Sequence, residues 1–228
     1  MKETDVAIII PVYNEARVIK QTIQGVLSSF PLVICINDGS IDNTAEEIEK
    51  TKAILINHPI NLGQGAAIQT GIEYALKDPS IKYFVTFDAD GQHRIEDVKN
   101  MLAYIRKEKV DVVLGSRFLG ATENMTPLKK AVLKAAVKFS NFTTGLLLTD
   151  AHNGLRVFNR RMAEKLDITM PDMAHASEII HRIAEHQFAY KELPVTIAYT
   201  DYSKAKGQSI MNAVNITFDL LLQRVTKR

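Results

Sequence analysis

The sequence predicts an α/β fold in which a mainly parallel sheet is flanked by helices. Short apolar runs rich in β-branched residues alternate with longer segments of helical periodicity, and this alternation is typical of βαβ units. We expect strands at 6–10, 32–36, 53–56, 83–87 and 110–114, and helices at 16–28, 44–50, 65–76 and 95–107. Ligands of such sheets bind beyond the carboxyl ends of the strands, so the residues that follow each strand are the candidates for function.

The strands of the first half are justified by their composition, taken in order. The first two are the continuous apolar runs VAIII and LVICI, and the third is the shorter run AILI. The fourth, YFVTF, mixes aromatic and β-branched residues, and Gly91 soon after it marks a turn. Continuous apolar runs of this kind are typical of strands buried on both faces, so we expect helices on both sides of the sheet.

The second half of the chain is less regular. We expect a helix at 127–148, a strand at 153–158 and helices at 176–186 and 209–225. We find no internal repeat or convincing linker, so we expect a single domain over 1–228 with a helical C-terminal extension.

Composition excludes several classes of protein. A chain of 228 residues, 46% of them hydrophobic, can bury a full core, and a net charge of +2 is too small to indicate nucleic-acid binding. No apolar stretch approaches the roughly 20 residues that cross a bilayer. The first strand follows Met1 so closely that we expect no signal peptide, and hence a cytoplasmic protein in which Cys35 is a buried hydrophobe.

Two carboxylates, Asp88 and Asp90, follow the fourth strand two residues apart. In extended chain this spacing directs both side chains to the same side. A cation between them would relieve their repulsion, and carboxylate oxygens suit Mg²⁺ or Mn²⁺; a solvated loop is the alternative. Gln92 is a candidate neutral ligand, whereas for His93 a functional role and an ordinary loop role are equally supported.

Polar side chains also follow the first two strands. Tyr13 and Glu15 offer an aromatic face beside an acceptor, which suits a nucleobase, although Glu15 could instead stabilise a helix dipole. Asp38 ends the second strand, and we expect it to accept hydrogen bonds from a base or ribose rather than only to brace the turn. We expect Ser40 to cap the helix that follows.

Glycines and an arginine follow the third and fifth strands. Gly63 and Gly65 let the backbone approach a ligand at the start of a helix, but the lysine and hydroxyl of a Walker loop are missing. Arg117 could hold a phosphate through two hydrogen bonds, with a surface arginine as the alternative. Four strand ends that meet at one edge favour a binding site there more strongly than any single motif does.

Five motifs in one order carry a family resemblance: PVYNE at 11–15, NDGS at 37–40, NLGQGAA at 61–67, DADGQH at 88–93 and GSR at 115–117. Together they resemble a family 2 glycosyltransferase of the GT-A fold and, more narrowly, the dolichyl- and polyprenyl-phosphate sugar synthase branch. The resemblance covers 5–160 well and the remainder loosely. It implies a nucleotide-sugar-binding half at 1–117 and an acceptor-side half at 118–228.

The resemblance also implies roles for individual residues. Those implied to hold the nucleotide base and ribose are Pro11, Tyr13, Glu15 and Asp38. Those implied to hold Mg²⁺ or Mn²⁺ on the donor diphosphate are Asp88, Asp90 and Gln92. Arg117 matches the position that faces the acceptor, and Lys204 and Lys206 lie in a segment that resembles a late motif closing over the donor phosphates.

Some positions depart from the family pattern. Gln64 stands where many relatives have lysine, and Lys204 stands for the usual arginine, which loses the bidentate fork. The segment DAHNGLR at 150–156 only partly matches Asp-x-x-Ser-Gly-Phe-Arg, which leaves a polyprenyl phosphate and a glycan open as acceptors. Membrane-spanning helices of many relatives are not apparent, so any lipid contact would be peripheral.

The implied reaction is a single displacement with inversion, in which a UDP- or GDP-sugar loses its diphosphate. The metal would stabilise the charge on the leaving diphosphate, which makes Asp90 catalytic through the metal. A lipid phosphate is already ionised, whereas a sugar hydroxyl needs a general base. Asp150 and Glu178 are the candidates for that base; a turn role and a helix N-terminal charge are the respective alternatives.

Two helices have more than one interpretation. The helix at 127–148 has lysines at 130, 134 and 138 opposite an apolar face, so it could lie on an anionic membrane near a lipid-linked acceptor. Packing of that face on its own domain is the interpretation we favour. The helix at 209–225 is expected to pack on the core or to form a dimer seam.

Two other functions compete with glycosyl transfer. A sugar-nucleotide pyrophosphorylase shares nucleotide-binding α/β architecture, but it usually needs a Gly-rich, Arg-containing loop where PVYNE stands. A non-catalytic nucleotide-sugar sensor is the other alternative, and the intact carboxylate pair argues against it.

Overall fold

A computed structural model describes residues 3–123, 127–170 and 174–198. Its strands are β1 (Val6–Val12), β2 (Leu32–Asp38), β3 (Ile54–His58), β4 (Tyr83–Thr86), β5 (Val112–Glu123), β6 (Arg156–Asn159) and β7 (Tyr190–Ala198). They form one sheet in the order β3-β2-β1-β4-β6-β5-β7. The strands pair in parallel except for β6, which is antiparallel to both β4 and β5. The predicted mainly parallel α/β sheet is therefore confirmed.

Helices cover both faces of this sheet. They are α1 (Ile19–Leu27), α2 (Thr44–Glu49), α3 (Gln64–Leu76), α4 (Ile95–Glu108), α5 (Pro127–Thr144), α6 (Arg160–Ala163) and α7 (Ala174–Glu185). Within β1, Ile9 packs in the cluster that contains residues of α3 and α7, whereas Ile8 and Ile10 pack in the cluster that contains residues of α1 and α4. Because successive side chains of a strand point to opposite faces, a strand covered on both sides has to be apolar throughout.

The second half differs from the prediction in several places. β7 was not predicted, and Pro194 within it explains why, since a proline argues against a central strand and is tolerated at a sheet edge such as the one β7 occupies. β5 is a 12-residue strand, much longer than the predicted 110–114, and it pairs with β7 through an irregularity between Ser116 and Ala121. The predicted helix at 209–225 lies outside the described residues.

The order of the strands determines where a ligand can bind. β1 lies between β2 and β4 and is parallel to both. The chain continues from β1 to β2 and β3 on one side of β1, and the later strands lie on its other side. The carboxyl ends of β1 to β4 consequently meet at one edge, with a crevice where the direction changes. Over the described ranges, no helix combines the length and the apolar character needed to cross a membrane.

Candidate active site

The loops after β1 and β2 are joined side by side at this edge. The backbone N–H of Asn14 donates to Ser40 Oγ (2.9 Å), and Asn14 Oδ1 accepts from the N–H of Ile41 (2.9 Å). Asn14 adopts a left-handed φ of 53°, and the neighbouring Tyr13 remains 42% exposed, whereas Glu15 is buried. The expectation that Ser40 caps α2 is wrong, because Asn43 is the N-cap residue and Ser40 instead holds the loop after β1.

Asp38 braces the loop that leads into α3. Its Oδ1 accepts hydrogen bonds from the N–H of Leu62 (3.0 Å) and from His58 Nδ1 (2.7 Å), and its Oδ2 accepts from the N–H of Gly63 (2.8 Å). Gly63 has a φ of +92°, a conformation that favours glycine. The bracing role considered for Asp38 is therefore present, and its contact with a base or ribose stays a prediction.

Asp88 lies just beyond the end of β4, with 32% of its side chain exposed. His93 Nε2 contacts Asp88 Oδ2 (2.8 Å), and Gln64 Nε2 donates to Asp88 Oδ1 (3.3 Å). Burial would raise the pKa of Asp88, but His93, with the more distant Arg156 and His175, outweighs burial and holds that pKa below its ordinary value. The carboxylate is therefore ionised at neutral pH.

Asp90 differs from Asp88 in that its surroundings raise its pKa. Burial, the Asp88 carboxylate and Glu15 raise the pKa of Asp90 to about 6, although the N–H of Gln92 and the side chain of His93 oppose them. The N–H of Gln92 donates to Asp90 Oδ1 (3.1 Å) and its Nε2 donates to Oδ2 (2.6 Å). The contribution of Glu15 is consistent with the parallel pairing of β1 and β4, which brings the loop after β1 near the end of β4.

These residues fit a divalent cation. The Asp88 and Asp90 carboxylates offer hard oxygen atoms of the kind that divalent cations prefer, and the raised pKa of Asp90 indicates that their negative charge lacks full compensation. Nowhere in 3–123, 127–170 or 174–198 do three or more His, Cys, Asp or Glu side chains group as a metal cage. Mg²⁺ commonly takes one or two carboxylates and completes its coordination with substrate phosphates and water, so two carboxylates are a sufficient protein contribution.

Arg117 and Asp150 form a buried ion pair beside this crevice. Arg117 donates to Asp150 Oδ2 from both its backbone N–H (3.0 Å) and its Nε (2.6 Å), and to the carbonyl of His152 (3.0 Å). Only 1% of the Asp150 side chain is exposed. Glu192 on β7 in turn accepts from the N–H of Thr149 and the N–H of Asp150, both at 2.8 Å. This geometry favours a positioning role for Asp150, and its action as a general base stays a prediction.

Glu178 is also hydrogen-bonded to nearby backbone groups. Its Oε2 accepts from the N–H groups of Thr169 (3.0 Å) and Met170 (2.8 Å), and its Oε1 accepts from the Thr169 hydroxyl (2.8 Å). These bonds hold the chain segment before α7, and Glu178 is buried. Its action as a base likewise stays a prediction. The predicted roles of Lys204 and Lys206 fall on residues outside the described part of the chain.

Arg156 is a buried cation that the sequence did not single out. It is the first residue of β6, and burial lowers its pKa to about 10 while Asp88 and Asp150 oppose that effect. Its Nη1 atom has no hydrogen-bond partner within the described part of the chain. Burial likewise lowers the pKa of His152 to about 4, so this imidazole is neutral at pH 7. The partial match of 150–156 to a family motif was the only available signal for either residue.

Comparisons with known proteins identify the family and the relatives of this chain. Residues 7–167 match the family described as Glycosyl transferase family 2. The chain is 30% identical to a UDP-N-acetylglucosamine–dolichyl-phosphate N-acetylglucosaminyltransferase of Methanococcus voltae, over 100% of this chain and 99% of that protein. It is 28% identical to a polyprenol monophosphomannose synthase of Mycolicibacterium smegmatis, over 91% of this chain and 83% of that one.

A solved structure shares the fold. Glucosyl-3-phosphoglycerate synthase from Mycobacterium tuberculosis, crystallised with Mn²⁺ and UDP-glucose, superposes with a TM-score of 0.75 at 13% identity, over 98% of this chain and 79% of that one. The predicted GT-A fold and the resemblance to the polyprenyl-phosphate sugar synthase branch are confirmed. Since the family match spans most of the chain and the relatives are aligned over nearly their whole length, this protein belongs to glycosyl transferase family 2 and is a glycosyltransferase.

Proposed function

We propose that this glycosyltransferase moves a sugar from a nucleotide-sugar to a polyprenyl phosphate, by a single displacement that inverts the anomeric carbon and depends on a divalent metal ion. The observation that carries the proposal is the carboxylate pair Asp88 and Asp90, which directly follows β4 at the edge of the sheet where the parallel strand β1 also ends. Relatives named for dolichyl phosphate and polyprenol support the choice of acceptor.

The donor nucleotide would lie over the loops after β1 and β2. Tyr13 offers an exposed ring for stacking on the base, with Pro11 and Glu15 on either side of it in the chain. Asp38 and Gly63 would form the adjacent wall, because the Asp38 carboxylate fixes the backbone of that loop. In this arrangement residues 1–117 would form most of the donor side and residues 118–228 most of the acceptor side, with Arg117 at the boundary facing the acceptor and Lys204 and Lys206 returning to the donor phosphates.

Asp88, Asp90 and Gln92 would hold Mg²⁺ or Mn²⁺. When bound, the ion supplies positive charge that stabilises the departing diphosphate. Asp88 is kept ionised for this role by His93 and Arg156. Lys204 and Lys206 would add positive charge next to the phosphates. The M. tuberculosis synthase crystallised with Mn²⁺ and UDP-glucose supports a metal of this kind in the fold.

The acceptor side favours an ionised phosphate over a sugar hydroxyl. A hydroxyl needs a general base within hydrogen-bond reach, and both candidates, Asp150 and Glu178, are buried against structural partners. A phosphate monoester needs only positioning by a cation, for which Arg117 is the candidate. An Arg117 side chain already fixed by Asp150 and the His152 carbonyl is preorganised for that contact.

A lipid acceptor would bring the surface formed by α5 and the turn after it to a membrane. Phe142 is 82% exposed and Leu147 is 84% exposed, and Asn141 closes the turn between them by bonding both backbone groups of Leu148. Lysines 130, 134 and 138 of α5 are also exposed, and together these side chains suit an anionic bilayer surface. In flotation with anionic liposomes, the wild-type chain should rise with the vesicles and a Phe142→Ser/Leu147→Ser variant should stay in the dense fraction. Equal flotation of the two proteins would refute the membrane contact.

A donor panel combined with lipid extraction tests the function. UDP- and GDP-sugars are compared by thermal shift with Mn²⁺ and with EDTA, and the stabilising donor is then used with polyprenyl phosphate. We expect one donor to stabilise the protein only with metal and to yield sugar in the lipid extract. Metal-independent stabilisation that persists in an Asp90→Ala variant would contradict the proposal.

A further inference from the structure

Three side chains form a hydrogen-bonded chain behind the donor loop. Thr70 Oγ1 lies 3.0 Å from His58 Nε2, and His58 Nδ1 lies 2.7 Å from Asp38 Oδ1. Asp38 and His58 lie side by side because β2 and β3 pair them in register as the last residue of each strand, and only 4% of the Asp38 side chain and 9% of the His58 side chain are exposed. Thr70 approaches from α3, which packs on the same side of the sheet.

The acceptor chemistry of Asp38 fixes the direction of this chain. An ionised carboxylate only accepts, so His58 Nδ1 must carry the proton that it shares with Asp38. When Nε2 carries no proton, it accepts a hydrogen bond from the Thr70 hydroxyl, 3.0 Å away. Each side chain therefore orients the next, and the carboxylate plane of Asp38 is set from behind.

The other contacts of Asp38 transmit this orientation to the loop. Its two oxygens hold the successive N–H groups of Leu62 (3.0 Å) and Gly63 (2.8 Å), immediately before α3 begins at Gln64. Gln64 itself reaches Asp88 Oδ1 (3.3 Å). The loop also packs closely on the turn after β2, since a Cβ at Gly39 would lie 2.5 Å from the backbone nitrogen of Asn61. Movement of Asp38 would therefore displace one wall of the donor crevice.

The order hydroxyl, imidazole, carboxylate also occurs in hydrolytic triads, but the surroundings here exclude that use. Thr70 lies in the middle of α3 with its hydroxyl directed at a buried ring, and both oxygens of Asp38 are engaged with the loop. A nucleophile needs an accessible oxygen and a carboxylate dedicated to its histidine. The arrangement is suited to positioning.

We propose that His58 and Thr70 are positioning residues that set the affinity for the nucleoside diphosphate part of the donor. The inference rests on the proposed function, since it assigns these residues to the donor crevice. They act through Asp38 and the backbone at 62–63, not through contact with the substrate. Their loss should weaken donor binding while the turnover of bound donor is preserved.

The test combines two measurements on His58→Leu, His58→Asn and Thr70→Val. Amide exchange of Leu62 and Gly63 is followed by NMR without nucleotide, and donor affinity and steady-state rates are measured with Mn²⁺. His58→Leu should accelerate exchange at both amides and weaken donor binding about tenfold, because a bond to a charged group is lost. At saturating donor, kcat should stay within about twofold of wild type.

The two other variants should weaken donor binding less than His58→Leu does. An asparagine at 58 can still donate to Asp38 but cannot reach Thr70, so His58→Asn should recover most of the affinity that His58→Leu loses. Thr70→Val keeps the shape and removes only the hydroxyl, so a loss of about threefold is expected. Ile34→Val, a core change in β2, is the control for lowered stability and should leave donor affinity unchanged.

The outcomes separate this inference from the proposed function. Unchanged exchange at Leu62 and Gly63 in His58→Leu would overturn the positioning role, and so would faster exchange with unchanged donor affinity. A loss confined to kcat would overturn it too. If the wild-type chain binds no nucleotide-sugar, the proposed function fails along with the link to donor affinity, while the exchange data still decide whether His58 orders the loop.

Discussion

A methyl group added at Gly154 should disable the site without unfolding the protein. A Cβ at this position would lie 2.3 and 2.5 Å from the two carboxylate oxygens of Asp88. Optimal non-bonded separations are about 3.5 Å, so one side has to move by about 1 Å. The turn is anchored, because the Thr86 hydroxyl donates to the Gly154 carbonyl (2.6 Å) and the N–H of Leu155 donates to Asn153 Oδ1 (2.9 Å). The Asp88 carboxylate is therefore the group that moves.

The expected effect of Gly154→Ala is large on activity and moderate on stability. A misplacement of about 1 Å in a catalytic group can cost about 10²-fold in rate, which corresponds to about 2.7 kcal/mol of transition-state stabilisation. Overpacking should lower the free energy of unfolding by about 1–3 kcal/mol. Initial rates and calorimetric titration of the donor with Mn²⁺ measure the first effect, and urea unfolding measures the second.

Gly25→Ala is the matched control. Gly25 lies within helix α1, and a methyl group there would make an ordinary contact of 3.7 Å with Ile95 Cδ1. We expect it to keep full activity and to stabilise the helix by about 0.5–1 kcal/mol. If Gly154→Ala retains wild-type kcat/KM and metal-dependent donor affinity, the placement of Asp88 in the reacting site is refuted.

Three further perturbations test separate parts of the site. Because the pKa of Asp90 is raised to about 6, protons should compete with the metal for this carboxylate as the pH falls through 6. Mn²⁺ should therefore raise Tm more at pH 7.5 than at pH 5.5. An equal rise at both pH values would contradict the assignment of Asp90 as a metal ligand. Asp150→Asn breaks the buried pair with Arg117, so urea unfolding should show a loss of about 3 kcal/mol, and an unchanged midpoint would show the pair to be unimportant. Glu178→Gln should cost about 1–3 kcal/mol of stability through its bonds to Thr169 and Met170 while kcat is retained; a collapse of kcat at unchanged stability would instead identify Glu178 as the base.

The fold of the first half could be predicted because burial leaves a direct mark on the sequence. The run VAIII is apolar at every position since alternate residues of β1 enter two different core clusters. β7 leaves no such mark, because it lies at the sheet edge and combines Lys191, Glu192 and Pro194 with apolar residues. The antiparallel insertion of β6 between β4 and β5 also depends on long-range pairing that local patterns do not specify.

For the candidate site, the sequence could predict only which residues lie at the ends of the strands. Asp38, Asp88 and Asp90 were placed because parallel strands deliver their carboxyl ends to one edge. What each carboxylate contacts was not predictable, since the partners are remote in sequence. Asp150, for example, bonds to Arg117 and Glu192, which are 33 and 42 residues away. Neither separation follows from any helix or strand period.

The most direct measurement of the central claim is transfer of labelled sugar into lipid. The wild-type chain is incubated with a radiolabelled nucleotide-sugar, polyprenyl phosphate and Mn²⁺, and label in the organic phase is compared with EDTA and with Asp90→Ala. The account predicts labelled lipid only when metal and both carboxylates, Asp88 and Asp90, are present. Equal label in EDTA or with Asp90→Ala would contradict it.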